Sequence, residues 1–89
     1  MSKIKEVGDQ YYFHCPGCNM LHTVGKGWEF NGDFEKPTFY PSVLVRGGDI
    51  NCHSFIKNGM IQFLHDCSHK MKNATVKIPD FETLHPDLQ

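Results

Sequence analysis

Four cysteines are the residues of this sequence with the most distinctive chemistry. Cys15-Pro16-Gly17-Cys18 places two thiols two residues apart with a glycine in the turn, and Cys52 and Cys67 follow later in the chain. Structural zinc takes four ligands in a tetrahedron, and one Cys-x-x-Cys pair supplies half of them. The sequence therefore predicts one Zn²⁺ ion held by Cys15, Cys18, Cys52 and Cys67.

A redox dithiol is the rival interpretation of the Cys15–Cys18 motif. That motif normally opens a helix in a βαβ unit, and nothing in this sequence has that pattern. The first residues contain no secretory signal, and no run reaches the ~18 apolar residues of a membrane helix. We therefore expect a cytoplasmic protein with reduced thiols, in which a cysteine cluster indicates a metal more often than disulfides.

Several polar side chains close to the cysteines complicate the ligand set. They are His22, His53, Asp66 and His69. Each histidine could replace a cysteine in a mixed site. Together with Asp66 as a base or as an orienting partner, they could instead surround an open coordination position of a zinc-dependent hydrolase. Four thiolates favour a closed structural site, so the sequence identifies no catalytic residue.

Frequent glycine and proline between short apolar runs predict an all-β fold of antiparallel hairpins, with a zinc-ribbon-like knuckle at Cys15. Gly8-Asp9 predicts a first hairpin turn, and Gly25-Lys26-Gly27 predicts a second. Pro37 and Pro41 predict an extended edge segment between them. The predicted strands are Ile4 to Val7, Gln10 to His14, Leu21 to Val24, Trp28 to Phe30, Ser42 to Arg46, Cys52 to Ile56, Ile61 to Leu64 and Thr75 to Ile78.

Asn58-Gly59 is the strongest turn signal, because both central residues of a type I′ turn need positive φ. A two-residue loop there pairs Ile56 with Ile61 and, if pairing continues, Cys52 with His65. Cys67 then becomes a diagonal neighbour of Cys52 on the apolar face. The turn alone therefore predicts that two thiols distant in sequence meet.

Length and charge limit the remaining possibilities. A chain of 89 residues is one domain, which we expect to span residues 1–79 and to continue as a loosely ordered tail over residues 80–89. A core this small often needs a metal for stability. The formal net charge is −1 and the basic residues are scattered, so nucleic-acid binding by a zinc ribbon is disfavoured.

The order of these motifs resembles a family of small proteins of tailed bacteriophages and prophages. It is carried, from about Phe13 to Asp80, by Cys15-Pro16-Gly17-Cys18, Trp28-Glu29-Phe30-Asn31-Gly32-Asp33, Pro41-Ser42-Val43, Cys52-His53-Ser54-Phe55-Ile56 and Asp66-Cys67-Ser68-His69. The family pattern marks Cys15, Cys18, His22, Trp28, Asn31, Gly32, Pro37, Thr38, Pro41, Ser42, Cys52, His53, Gly59, Asp66, Cys67 and His69. Members often carry the label "ammonia monooxygenase", and the resemblance implies no established activity.

That label does not suit the sequence. The oxygenase is a large copper-containing membrane complex, whereas this chain has no apolar run of membrane length, and its thiols suit zinc better than a copper site for oxygen chemistry. The sequence predicts a zinc-binding phage or prophage accessory protein, a non-catalytic module that binds a host or phage protein. A zinc-dependent hydrolase and a nucleic-acid-binding zinc ribbon are the alternatives.

Overall fold

In the computed structural model, which describes residues 2–86, nearly all regular structure is antiparallel β-sheet, as predicted. Three strands form one sheet in the order β1 (Ile4–Val7), β2 (Gln10–Cys15) and β3 (Met20–Gly25). Five form a second sheet, also in chain order: β4 (Glu29–Phe30), β5 (Phe39–Gly47), β6 (Ile50–Lys57), β7 (Met60–Phe63) and β8 (Thr75–Lys77). A single-turn helix, α1 (Phe81–Leu84), follows them.

The Cys15–Cys18 knuckle is the turn of a hairpin between β2 and β3. Cys15 pairs with Met20, and Asn19 closes the turn at φ 54° by donating its backbone N–H to the Cys15 carbonyl at 2.8 Å. The predicted hairpin between Leu21–Val24 and Trp28–Phe30 is wrong. β3 already pairs with β2, and the segment after Gly25 carries the chain to the second sheet, where β4 pairs with β5.

β5 is an inner strand that contains a bulge, not an edge segment. Phe39 pairs with Phe30 on one side and with Ile56 on the other, and the register with β6 shifts between Phe39 and Val43. Pro41 lies inside that irregular stretch, where the ladder needs no N–H donor. The bulge thus explains how an inner strand holds a proline.

The turn at Asn58-Gly59 sets the register that the sequence predicted. Asn58 and Gly59 have φ values of 53° and 78°, and Ile56 pairs with Ile61. After Phe63 the regular ladder ends, so the predicted pairing of Cys52 with His65 does not form. Residues 65 and 66 turn instead, and Ser68 then rejoins β6 by donating its N–H to the Asn51 carbonyl at 2.8 Å.

One hydrophobic core joins side chains from both sheets, including Ile4, Phe13, Val24, Phe39, Ile56, Ile61, Phe63 and Ile78. Within the segment predicted as a tail, Phe81 of α1 is buried, and its N–H donates to the Ser2 carbonyl at 2.8 Å. Residues 87–89 of that segment lie outside the described residues. Across residues 2–86, no helix has the length and apolarity that a membrane crossing requires.

Candidate active site and metal centre

Ser42 lies in the bulge of β5 and points to the outer face of the second sheet. Its hydroxyl Oγ is 2.9 Å from Nε2 of His53, which lies on the neighbouring strand β6. The backbone carbonyl of Ser42 accepts a hydrogen bond from the indole Nε1–H of Trp28 at 3.2 Å. Bulges commonly redirect a side chain beside an active site, and here Trp28 anchors the redirected residue.

Asp66 contacts the other nitrogen of the same imidazole. Its carboxylate oxygen Oδ2 lies 3.1 Å from His53 Nδ1, and the Asp66 backbone carbonyl accepts a hydrogen bond from the Asn51 side chain at 2.6 Å. Desolvation opposes the charged form, but the hydrogen bond of His53, a backbone hydrogen bond and the charges of His53 and His65 together outweigh it and hold the pKa of Asp66 below its ordinary value. Asp66 is therefore a carboxylate at neutral pH.

These contacts form a Ser–His–Asp relay. A carboxylate that accepts the Nδ1–H of His53 fixes the tautomer whose Nε2 is an acceptor, and that nitrogen faces the Ser42 hydroxyl. A nucleophile bonded to a base, with the base oriented by a third group, is the geometry of nucleophilic catalysis. The side chains of His53 and Asp66 are 28% and 40% exposed, so a substrate can reach them.

A second cluster lies behind this relay, where the knuckle meets β6. Ligand atoms of Cys15, Cys18, His22 and Cys52 all lie within 4.8 Å of one another, and the sulfurs of Cys15 and Cys52 are 3.8 Å apart. Zinc takes thiolate and imidazole ligands in tetrahedral sites. These four residues are therefore positioned to hold a metal ion.

The hydrogen bonding of His22 supports this interpretation. Nδ1 of this buried histidine is 3.1 Å from the Leu21 carbonyl oxygen, which can only accept, so Nδ1 carries the proton. The lone pair of Nε2 is then buried, with no hydrogen-bond partner among the described residues. Metal-ligating histidines characteristically donate their other N–H in this way, and a cation among the thiols would satisfy the orphaned nitrogen.

The thiols polarise one another strongly. The Cys52 thiol donates a hydrogen bond to the Cys15 sulfur, which lowers the pKa of Cys15 to about 4 despite its burial and raises that of Cys52. Desolvation, with the charge of Cys15 beside it, raises the pKa of Cys18 to about 11. The negative charge of the site therefore lies on Cys15. Cys18 and Cys52 would each release one proton when a cation binds.

Cys67 and His69 form a second ligand group with Cys52. The ligand atoms of the three residues are within 4.8 Å of one another, so Cys52 belongs to both groups. His69 Nδ1 accepts the Met71 N–H at 3.2 Å, which leaves Nε2 as the protonated nitrogen, 3.7 Å from the Cys52 sulfur. His69 is thus placed to donate a hydrogen bond to Cys52, as a supporting residue of a metal ligand does.

The structure brings together all the predicted site residues but divides them between two sites. The sequence identified His53 and Asp66 only as partners of a metal, and it singled out Ser42 only through the family resemblance. A serine nucleophile has no local signature of its own, because such relays are recognised by geometry and not by sequence position. The predicted role of Cys67 as a zinc ligand stays a prediction.

Comparison with known proteins identifies one family. The model of the bacterial ubiquitination-like system serine protease family (BubE) matches residues 1–64 of the chain. This match includes Ser42 and His53 and ends two residues before Asp66. No curated protein and no solved structure matches the chain.

Proposed function

The chain belongs to the bacterial ubiquitination-like system serine protease family (BubE), and on that premise we propose that it is a serine hydrolase that cleaves an acyl bond in a protein of such a system. The observation that carries this proposal is the relay of Ser42, His53 and Asp66, with contacts of 2.9 and 3.1 Å. The family name and the geometry support the same chemistry by independent routes.

The reaction follows from the roles of the three side chains. Ser42 Oγ attacks the scissile carbonyl carbon and gives its proton to His53 Nε2. The tetrahedral intermediate then breaks its bond to the leaving amine or alcohol, which takes that proton, and an acyl-Ser42 ester remains. A water molecule, deprotonated by His53, attacks the ester, and the acid leaves while Ser42 regains its proton. Asp66 stabilises the imidazolium in both steps.

The metal centre has a structural role in this proposal. Zn²⁺ bound by Cys15, Cys18 and Cys52, with His22 as the fourth ligand, would cross-link the β2–β3 knuckle to β6. It would thereby fix Cys52, the residue of β6 that directly precedes His53. Three thiolates donate enough charge to weaken the Lewis acidity that metal-assisted hydrolysis needs. A zinc-dependent hydrolase is therefore less consistent with this donor set than a serine hydrolase.

The non-catalytic binding module remains the main competitor. In that case Ser42 would have ordinary hydroxyl reactivity, because a serine is a weak nucleophile without an adjacent base. Phage or prophage origin, a host or phage partner and a cytoplasmic location remain predictions from the sequence. The scattered charge gives no support to nucleic-acid binding.

Covalent labelling tests the proposal directly. A fluorophosphonate probe should modify the purified protein once, at Ser42, as read by intact mass and peptide mapping. Hydrolysis of p-nitrophenyl acetate should be measurable, and Ser42→Ala should abolish both signals. Ser54→Ala, a buried serine of β6 outside the relay, is the matched control and should retain both. Absence of labelling in zinc-loaded, folded protein would contradict a hydrolase and favour the binding module.

A further inference from the structure

Three large apolar side chains lie exposed around the catalytic pair, on the outer face of β5 and β6. Tyr40 is 63% exposed, Leu44 48% and Phe55 39%. Leu44 is the cross-strand partner of His53, and Phe55 is two residues from His53, so both share the face of the relay. Tyr40 lines a cavity together with Phe55, which places it on the same face. An exposed apolar cluster of this kind marks a binding surface more often than chance.

Two of these three side chains, the rings of Tyr40 and Phe55, border a groove. Tyr40, Phe55 and Gln62 line a cavity of about 290 Å³, together with residues at the ends of the same strands. Phe55 pairs with Gln62 across the β6–β7 ladder, so the floor of the groove is rigid sheet. Its lining offers aromatic surface to an apolar group and the Gln62 amide to a peptide backbone.

Strand register places this groove relative to the reacting atoms. Leu44 pairs with His53, and Val43 pairs with Ser54, so the imidazole lies on the Leu44 side of Ser42. The groove lies on the other side, beside Tyr40. Since His53 must protonate the leaving group, that group leaves over the imidazole, and the acyl part of the substrate extends away from it.

We infer that the groove between Tyr40 and Phe55 is the acyl-side pocket of the enzyme and selects substrates with a bulky apolar group next to the scissile carbonyl. This inference rests on the proposed hydrolase function and adds a substrate class to it. The occupant is the apolar group on the acyl side of the substrate, because Tyr40 and Phe55, which line the groove, are each two residues from a member of the relay. Phe55 and Tyr40 are thus specificity residues, not members of the relay.

The test compares p-nitrophenyl hexanoate with p-nitrophenyl acetate, since the two esters have the same leaving group and differ only in the acyl chain. The wild-type protein should prefer the hexanoate in kcat/KM. Phe55→Ala should reduce kcat/KM for the hexanoate by about tenfold or more, within the range of apolar pocket contacts. The same variant should lower kcat/KM for the acetate by a much smaller factor, because the acetyl group is too short to fill the groove, and Phe55→Leu should restore most of the preference.

Val7→Ala is the matched control, because Val7 is a similarly exposed apolar residue on β1, away from the groove. It should leave both rates unchanged. Equal losses on both esters in Phe55→Ala, or no preference in the wild type, would overturn the inference while leaving the hydrolase intact. Hydrolysis of both esters by Ser42→Ala would instead refute the proposed function itself.

Discussion

Cys67 holds the peptide backbone of His53 with a single sulfur atom. The His53 N–H donates to Cys67 Sγ at 3.4 Å, and the Cys67 thiol donates to the His53 carbonyl at 3.1 Å. Asp66, the preceding residue, binds the His53 imidazole. Two consecutive residues after β7 thus fix the backbone and the ring of His53.

Substitution of Cys67 tests whether this residue supports His53 or binds zinc. Cys67→Ala should lower kcat for p-nitrophenyl acetate by about tenfold or more, because misplacement of a catalytic group by a fraction of an ångström is costly. It should keep about one zinc per chain by elemental analysis, since the other ligands remain. Cys67→Ser, which retains a donor, should recover part of kcat. Loss of the metal from Cys67→Ala would show instead that Cys67 is the fourth ligand.

His22 should be required for the metal. Its buried Nε2 has no hydrogen-bond partner within the described part of the chain and lies among the thiols, so His22→Ala should weaken zinc binding by at least tenfold in competition with a chromophoric chelator. His65→Ala is the control, because His65 is exposed and lies in neither ligand group. Cobalt substitution offers a second readout, since Co²⁺ bound to the wild-type protein should show the charge-transfer bands of three thiolate ligands. Unchanged affinity in His22→Ala would exclude it as a ligand.

Asp66 should control the rate more than the binding of substrate. Asp66→Asn keeps the shape but loses the charge that stabilises the imidazolium and selects the His53 tautomer. We expect kcat to fall by about 10³–10⁴-fold, as for other Ser–His–Asp relays. Asp49→Asn, at the exposed turn between β5 and β6, should have no effect. A fall of less than tenfold for Asp66→Asn would mean that the carboxylate has no part in the reaction.

Zinc affinity should decrease steeply as the pH falls. Cys15, with a pKa of about 4, is already a thiolate at neutral pH, whereas Cys18 and Cys52 have raised pKa values and remain thiols. Binding must displace the protons of the latter two, so the Kd for zinc should rise about a hundredfold for each unit of pH lost. Chelator competition between pH 6 and pH 8 measures this slope. A pH-independent Kd would contradict thiolate ligation.

Gly17 in the knuckle should tolerate no side chain. A Cβ at this position would lie 2.3 Å from Cε1 of His69, so the imidazole that supports Cys52 would have to move. Gly17→Ala should therefore destabilise the protein by about 1–3 kcal/mol, the usual cost of overpacking. Gly27→Ala, where nothing lies within 4 Å of the added atom, should change the unfolding free energy little. Equal denaturation midpoints for the two variants would contradict the packing of His69 on the knuckle.

Local sequence determined the parts of the fold that depend on few residues. Asn58-Gly59 fixed the β6–β7 register through its positive φ values, and Gly8-Asp9 fixed the first hairpin. Alternation along these strands predicted which side chains face the core. Cys52 and Cys67 meet as predicted, but the predicted pairing of Cys52 with His65 does not bring them together; a turn at residues 65 and 66 does.

Only the tertiary structure decided the pairing of β4 with β5 and the two separate sites. β4 has two residues, so its partner depends on where the loop after Gly25 leads and not on its own pattern. The bulge of β5 turns Ser42 toward His53, and nothing in the local sequence distinguishes that serine from any other strand serine. The contacts of about 3 Å among Ser42, His53 and Asp66 join two strands and the turn after β7, and their spacing depends on sheet packing, which no local pattern encodes.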